Sequence, residues 1–304
     1  MKNWTAPKIE GEIPCGDMPK DKVTIYPNHI SKANAVFPRL LEEIELVGHD
    51  KVVVGICGGS GVGKSGVASV IAYYLNEMGI GAYTLSGDNY PHKIPLYNDA
   101  ERIKVYRTSG IEAMLADGNF SEENFKVLQK LQIENDDANT KYINEFEWFK
   151  SYFDGGKQGL INYLGTNNEI DFDKLSLIIA NYKEDSPTIW LKRMGRELHE
   201  LWYEQVDFSQ IKVLIVEWTH SNSDFLCGVD IPILLNSTPA ETLAHRIARN
   251  RDNQTDSPFA TLVLGIEQQK LFKQSKKAKI IVSKNDVLLT HNEYLEMMEG
   301  IEND

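Results

Sequence analysis

Several things are scarce in this sequence, and each shortage narrows its function. It has three cysteines, Cys15, Cys57 and Cys227, spread over 304 residues. They form neither a C-x-x-C pair nor an even-numbered framework. That excludes a disulfide-stapled scaffold or a zinc ribbon and points to a reducing compartment. No run approaches the ~18 apolar residues of a membrane span. The opening Met1-Lys2-Asn3-Trp4-Thr5-Ala6-Pro7 lacks the apolar segment of a secretory signal. A cytoplasmic chain with no membrane partner is the expectation. Positive charge is short as well: 32 Lys and Arg face 44 Asp and Glu, for a net charge of -12. A broad nucleic-acid surface needs the opposite balance, so no nucleic-acid partner is expected. His199-Glu200 lacks the second histidine of H-E-x-x-H, and no G-x-S-x-G elbow occurs, which removes the common metalloprotease and serine-hydrolase readings.

What the chain does contain is ordinary globular composition, 42% hydrophobic and 25% charged, with one unusual stretch. Gly58-Gly59-Ser60-Gly61-Val62-Gly63-Lys64-Ser65 satisfies G-x-x-x-x-G-K-[ST] at every fixed position. The apolar run Val52–Cys57 precedes it, and Val67, Val70, Ile71, Tyr74 and Leu75 follow at helical spacing. This strand–loop–helix setting gives the motif its meaning. Glycines let successive N–H groups turn toward one anion, and the helix N-terminus adds partial positive charge. Lys64 suits the β- and γ-phosphates, and Ser65 suits Mg²⁺. A nucleoside triphosphate ligand follows.

The surrounding pattern predicts an α/β fold, a mostly parallel P-loop NTPase-type sheet with helices on both faces. Strands are expected at Val52–Cys57, Ala82–Ser86, Val213–Val216, Ile231–Leu235 and Lys279–Val282; Pro232 marks the fourth as an edge candidate. Residues 1–50 read as an N-terminal arm followed by an amphipathic helix. Its stripe is Phe37, Leu40, Leu41, Ile44 and Val47, with Pro38 in the first turn. The stripe suits packing on the main domain or a homodimer contact. Residues 51–304 form the main domain, and 119–187 a helical insertion or cap. Helices are expected at 98–117, 121–134, 140–153, 173–182 and 188–205, with Gly155-Gly156 as punctuation. The aromatic cluster Trp148, Phe149, Tyr152 and Phe153 reads as core.

Ligands of such sheets lie beyond the strand C-termini. There the second strand delivers Asp88, placed to take a proton from an attacking hydroxyl. The third delivers Glu217, the natural partner of Mg²⁺ or its waters. Trp218, Thr219 and His220 follow as candidate pocket wall. Arg193 and Arg196 either grip an anionic acceptor or pair with local acids.

These motifs, in this order, resemble the uridine kinase/phosphoribulokinase family of P-loop kinases. The shared features are the loop Gly58–Ser65, Asp88 followed by Tyr90, and the apolar strand ending in Glu217. The segment Arg246-Ile247-Ala248-Arg249-Asn250-Arg251-Asp252 matches the family's arginine-rich lid helix. The resemblance spans roughly 50–118 and 188–285. It implies ATP-dependent transfer of a γ-phosphoryl group to a small-molecule hydroxyl, of a nucleoside, sugar, sugar phosphate or hydroxy acid. Asp88 is then the base, with Lys64 as the other catalytic residue. Tyr90, His92, Arg193 and Arg196 lie near the acceptor; Arg246, Arg249 and Arg251 belong to a lid over the phosphates. Where many uridine kinases have Arg-Gly after the Arg-Asp pair, this chain reads Asn253-Gln254, which implies a rebuilt lid. Two other readings stand beside it. One is a GTP-dependent switch or metallochaperone-like NTPase, echoed by Ser283-Lys284-Asn285-Asp286. The other is a nucleotide-binding regulator without transfer activity.

Overall fold

The computed structural model describes residues 4–10, 13, 15–20, 23–249 and 257–302, with only the backbone of 245, 248, 249 and 300–302. Its centre is a six-stranded sheet. In chain order the strands are β1 (Val52–Gly58), β2 (Ala82–Ser86), β5 (Val213–Glu217), β6 (Ile231–Leu235), β7 (Ile280–Val282) and β8 (Leu288–Leu289). Spatially they run β2-β5-β1-β6-β7-β8, all parallel except β8, which turns back against β7. β1 is buried along its whole length because both faces are covered. Val52, Val54 and Ile56 face one core with Val213, Ile215, Ile231 and Ile233; Val53 faces the other with Leu214, Val216 and Leu85.

On the first face lie α1 (Pro27–Val47) and α2 (Lys64–Glu77). Phe37, Leu40 and Leu41 of the predicted stripe are buried there, with Ile44 and Val47 packed at the margin. The stripe is thus spent inside the chain. The helix starts earlier than the stripe suggested, at Pro27, so Pro38 sits in its interior instead of its first turn. Pro232 also differs from expectation: β6 is central, between β1 and β7. The proline lies second in the strand, and its carbonyl accepts the Lys279 N–H at 2.8 Å.

On the second face α6 (Phe172–Lys183) packs with the hairpin of β3 (Thr188–Met194) and β4 (Leu201–Asp207). This hairpin replaces the helix expected at 188–205. Ile189, Leu191 and Arg193 alternate inward along β3, the period of a strand. Toward the other edge, α8 (Pro258–Gln274) and α9 (His291–Glu302) bury Leu271, Tyr294 and Met298 against Cys57. Burial pushes the Cys57 thiol up to about 12, as befits a small inert hydrophobe. A third core joins α3 (Pro95–Ala116), α4 (Glu122–Ile133) and α5 (Phe149–Tyr163) to one side of α8. Here the expected helix at 140–153 breaks: a 3₁₀ turn covers Thr140–Ile143, and α5 begins only at Phe149. α5 then runs straight through Gly155-Gly156. These glycines admit α3 instead of ending the helix: a Cβ at Gly155 would lie 2.3 Å from Ala113 Cβ, and one at Gly156 2.5 Å from the Tyr106 ring. The aromatic cluster is buried in this core. The arginine-bearing helix α7 (Pro239–Arg249) follows β6.

Candidate active site

Gly58 ends β1 with φ 154°, and a Cβ there would meet the Leu235 carbonyl oxygen at 2.6 Å. Gly63 caps α2 with φ 94°. Side chains at either position would force the loop apart. Between them the loop wraps around the α2 N-terminus, and Val62 N–H reaches Gly59 O at 3.4 Å. Lys64 Nζ donates back to Gly59 O at 3.2 Å. Lys64 and Ser65 are half-buried at the mouth of the loop.

Two carboxylates join the loop at the same C-terminal end of the sheet. Glu217 ends β5, buried, in register with Ile56 of β1 and Ser86 of β2. Asp88 lies just past β2 on a 3₁₀ turn, Gly87–Asn89, exposed, with its N–H on Ser86 Oγ at 3.4 Å. Trp218 closes over the turn: a Cβ at Gly87 would fall 2.2 Å from its ring. The adjacent strand ends β2, β5 and β1 therefore present Asp88, Glu217 and the loop side by side. Ser65 and Glu217 contribute a hydroxyl and a carboxylate. Such a sparse set of hard oxygens suits Mg²⁺ carried on phosphates better than a protein cage. Among the described residues no cluster of three His, Cys, Asp or Glu could hold a metal alone.

The other predicted residues divide. His92 is exposed, with Nε2 2.9 Å from Asn167 O. Tyr90 is fully buried in the second core, its hydroxyl pushed far above its usual range by burial; it packs rather than facing an open acceptor surface. Arg193 is likewise not on a surface. It is buried on β3, donating to Asp17 (2.8 Å), Glu204 (2.9 Å) and the Tyr83 hydroxyl (3.0 Å). Pairing with local acids is the alternative realised. Arg196 is exposed in the hairpin turn, where its N–H donates to Glu200 at 2.9 Å. Arg246 of α7 donates to Pro239 O and Thr242 Oγ1, both at 2.7 Å, while its Nε is buried without a partner among the described residues. The Arg249 side chain and all of Arg251 lie outside the described residues. Asp286 of the guanine-like echo pairs with Lys32 of α1 at 3.2 Å.

A set of charges that the sequence did not reveal stands opposite the loop. Arg102 of α3 donates Nε to Glu169 at 2.7 Å and lies 3.8 Å from Glu267 of α8. Glu169, 1% exposed, also accepts Gly165 N–H at 2.7 Å. Burial alone would raise its carboxyl, but Arg102 and that N–H hold it below the usual range. Glu267 is raised by burial, which the nearby Arg102 and Lys64 only partly offset. Burial lowers His220 to about 4 despite Glu169, keeping the ring neutral at pH 7. Glu267 and Gln268 also close over Gly59, Ser60 and Arg246, leaving a cavity of about 10 Å³, space for a water but not a phosphate.

Residues 50–117 match the adenylylsulphate kinase family model. The chain carries a P-loop kinase-like domain. The bifunctional alpha-galactosidase/sucrose kinase AgaSK of Mediterraneibacter gnavus is 36% identical over 256 residues, covering 84% of this chain and 22% of that protein. The chain thus spans about a fifth of that relative's length. Among solved structures, a candidate fructose transport system kinase from Silicibacter sp. TM1040 is 15% identical with a TM-score of 0.47, covering 78% of this chain and 94% of its own. D-glycerate 3-kinase from Cryptococcus neoformans is 12% identical with a TM-score of 0.45, covering 87% and 98%. A candidate uridine kinase from Bacillus stearothermophilus is 13% identical with a TM-score of 0.41, covering 80% and 98%. No helix among the described residues is long and apolar enough to cross a membrane.

Proposed function

We propose that this chain transfers the γ-phosphoryl group of ATP to a hydroxyl of a small sugar, with sucrose the first acceptor to try. One observation carries the reading: Lys64 on its loop, Glu217 and Asp88 stand at adjacent strand ends. The kinship with a sucrose kinase over 84% of the chain favours a sugar among hydroxyl acceptors. A cytoplasmic setting suits its free cysteines.

In the proposed reaction the loop N–H groups and Lys64 hold the phosphates, Lys64 exchanging its Gly59 carbonyl for phosphate oxygen. Ser65 and Glu217 are the residues that would hold Mg²⁺, which when bound would neutralise phosphate charge. Asp88 accepts the proton of the attacking hydroxyl as the new O–P bond forms and the γ-phosphoryl leaves ADP. Arg246 Nε, buried without a partner among the described residues, gives the lid helix a donor for a phosphate oxygen. Catalysis is then chiefly positioning and electrostatics.

The test is ADP release from ATP·Mg²⁺ with sucrose, fructose, glucose, uridine, glycerate and adenylylsulphate in separate reactions, each repeated with Asp88→Asn. Acceptor-dependent release that the substitution abolishes is expected for a sugar. ATP binding with no acceptor-stimulated release from any of them would turn the assignment toward a regulator.

A further inference from the structure

We infer that Asp17, from the N-terminal arm, is a positioning residue for phosphoryl transfer: its carboxylate fixes the turn that presents Asp88. The inference rests on Asp88 being the proposed base. The arm crosses the open side of β2, with Gly16 beside Thr84, where a Cβ would sit 3.4 Å from Thr84 Cγ2. The next side chain, Asp17, goes inward, 6% exposed. A buried carboxylate is costly unless its lone pairs are filled. Here both oxygens are. Oδ1 accepts Ser86 N–H at 2.7 Å and Asn89 Nδ2 at 3.3 Å. Oδ2 accepts Arg193 Nη1 at 2.8 Å and the Tyr83 hydroxyl at 3.1 Å.

The choice of partners is what assigns the role. Ser86 and Asn89 bracket Asp88, so Oδ1 holds both ends of the 3₁₀ turn. Asn89 passes the restraint on through its Oδ1, which accepts Met194 N–H at 3.0 Å from β3. Oδ2 meanwhile anchors the carboxylate to Arg193, itself tied to Glu204 of β4. The exposed base thus stands on a turn clamped from beneath by an acid 69 residues before Ser86. An amide cannot replace that acid: it carries one acceptor oxygen and one NH₂, and every group facing Asp17 here donates. None of these contacts touches Gly58–Ser65, so loss of the clamp should spare nucleotide binding while misplacing the base.

The experiment compares Asp17→Asn and Asp17→Ala with the full wild-type chain and Asp88→Asn. It measures kcat with ATP·Mg²⁺ and sucrose, the Kd for ATP, and hydrogen exchange of the amides of 84–92 and of 58–66. The expected result is a kcat lowered roughly 10- to 100-fold, the scale of a misplaced reacting group. ATP Kd should stay within about twofold, as for a distant, independent site. Exchange should accelerate in 84–92 and hold steady in 58–66. Asp17→Asn should lose less than Asp17→Ala, because it retains one acceptor. A merely structural role would weaken ATP binding and loosen both segments together. Unchanged exchange in 84–92, or an unchanged kcat while Asp88→Asn is inactive, overturns the inference. A wild-type chain that transfers nothing to sucrose counts against the proposed acceptor instead, and the exchange result still decides Asp17. Should Asp17→Ala not fold, the same three measurements on the near-isosteric Asp17→Asn decide the matter.

Discussion

The two sides of the site are built in opposite ways. The nucleotide side is local: eight consecutive residues, Gly58–Ser65, shape the loop and start the helix that follows it. The opposite side is assembled from afar. Arg102 and Glu169 meet across 67 residues, and Asp17 and Arg193 across 176. A local device needs only the right residues in succession. An assembled one needs the whole fold, so each of its charges depends on a partner that arrives from another element. Damage to the first side should therefore appear as lost chemistry with an intact fold. Damage to the second should appear as lost stability or misplaced chemistry.

The largest expected effect is from Asp88→Asn: transfer falls by about 10²- to 10⁴-fold, the usual worth of a general base, with ATP still bound. Single-turnover kinetics beside an ATP titration would read both, and equal loss of each would make Asp88 structural. Lys64→Ala should cost about 10²- to 10³-fold in kcat with little change in melting temperature, the mark of a lost charge clamp on a locally built loop. On the assembled side, Arg102→Met should lower stability by about 3–5 kcal/mol, because it strands the buried Glu169 carboxylate. Urea denaturation measures this, and a neutral result would erase the contrast.

His220 gives the comparison a pH axis. Folded, its ring takes a proton only near pH 4, whereas the unfolded ring takes one near 6.5. Between those values the unfolded state binds more protons, so stability falls as the pH drops, by up to about 3 kcal/mol from this group. Denaturation midpoints at pH 7 and pH 5 should converge in His220→Gln more than in the wild type. The smallest effect is expected at Arg196→Ala in the exposed hairpin turn, within about 0.5 kcal/mol in stability. A substantial loss of acceptor affinity there would restore Arg196 to the acceptor side.

The same division governs what could be read from the sequence. Five parallel strands were visible as short apolar runs, and the loop as a motif, because both signals are contiguous. The placement of Asp88 just past β2 and of Glu217 at the end of β5 was legible for the same reason. The β3–β4 hairpin was hidden because Leu191-Lys192-Arg193-Met194 and Arg196-Glu197-Leu198 after it have helix-forming composition, while the alternating burial that makes β3 a strand is visible only against α6. Gly155 and Gly156 read as breaks because their reason, the closeness of α3, is tertiary. Arg102, Glu169 and Glu267 were missed for want of any spacing rule that joins them. Asp17 lay in a stretch that composition marked as an arm.

The strap that carries Asp17 has one more consequence, for aggregation. β2 is an edge strand, with backbone donors that invite another chain to add a strand. Two of those donors are already taken by side chains: Ala82 N–H by Asn76 Oδ1 at 2.8 Å and Ser86 N–H by Asp17 at 2.7 Å. At the far edge the short antiparallel β8 covers β7. A parallel sheet this apolar would otherwise be a template for its own misassembly. The acid that steadies the catalytic turn also denies that edge to neighbours, so losing it exposes the chain to clumping as well as to slower chemistry.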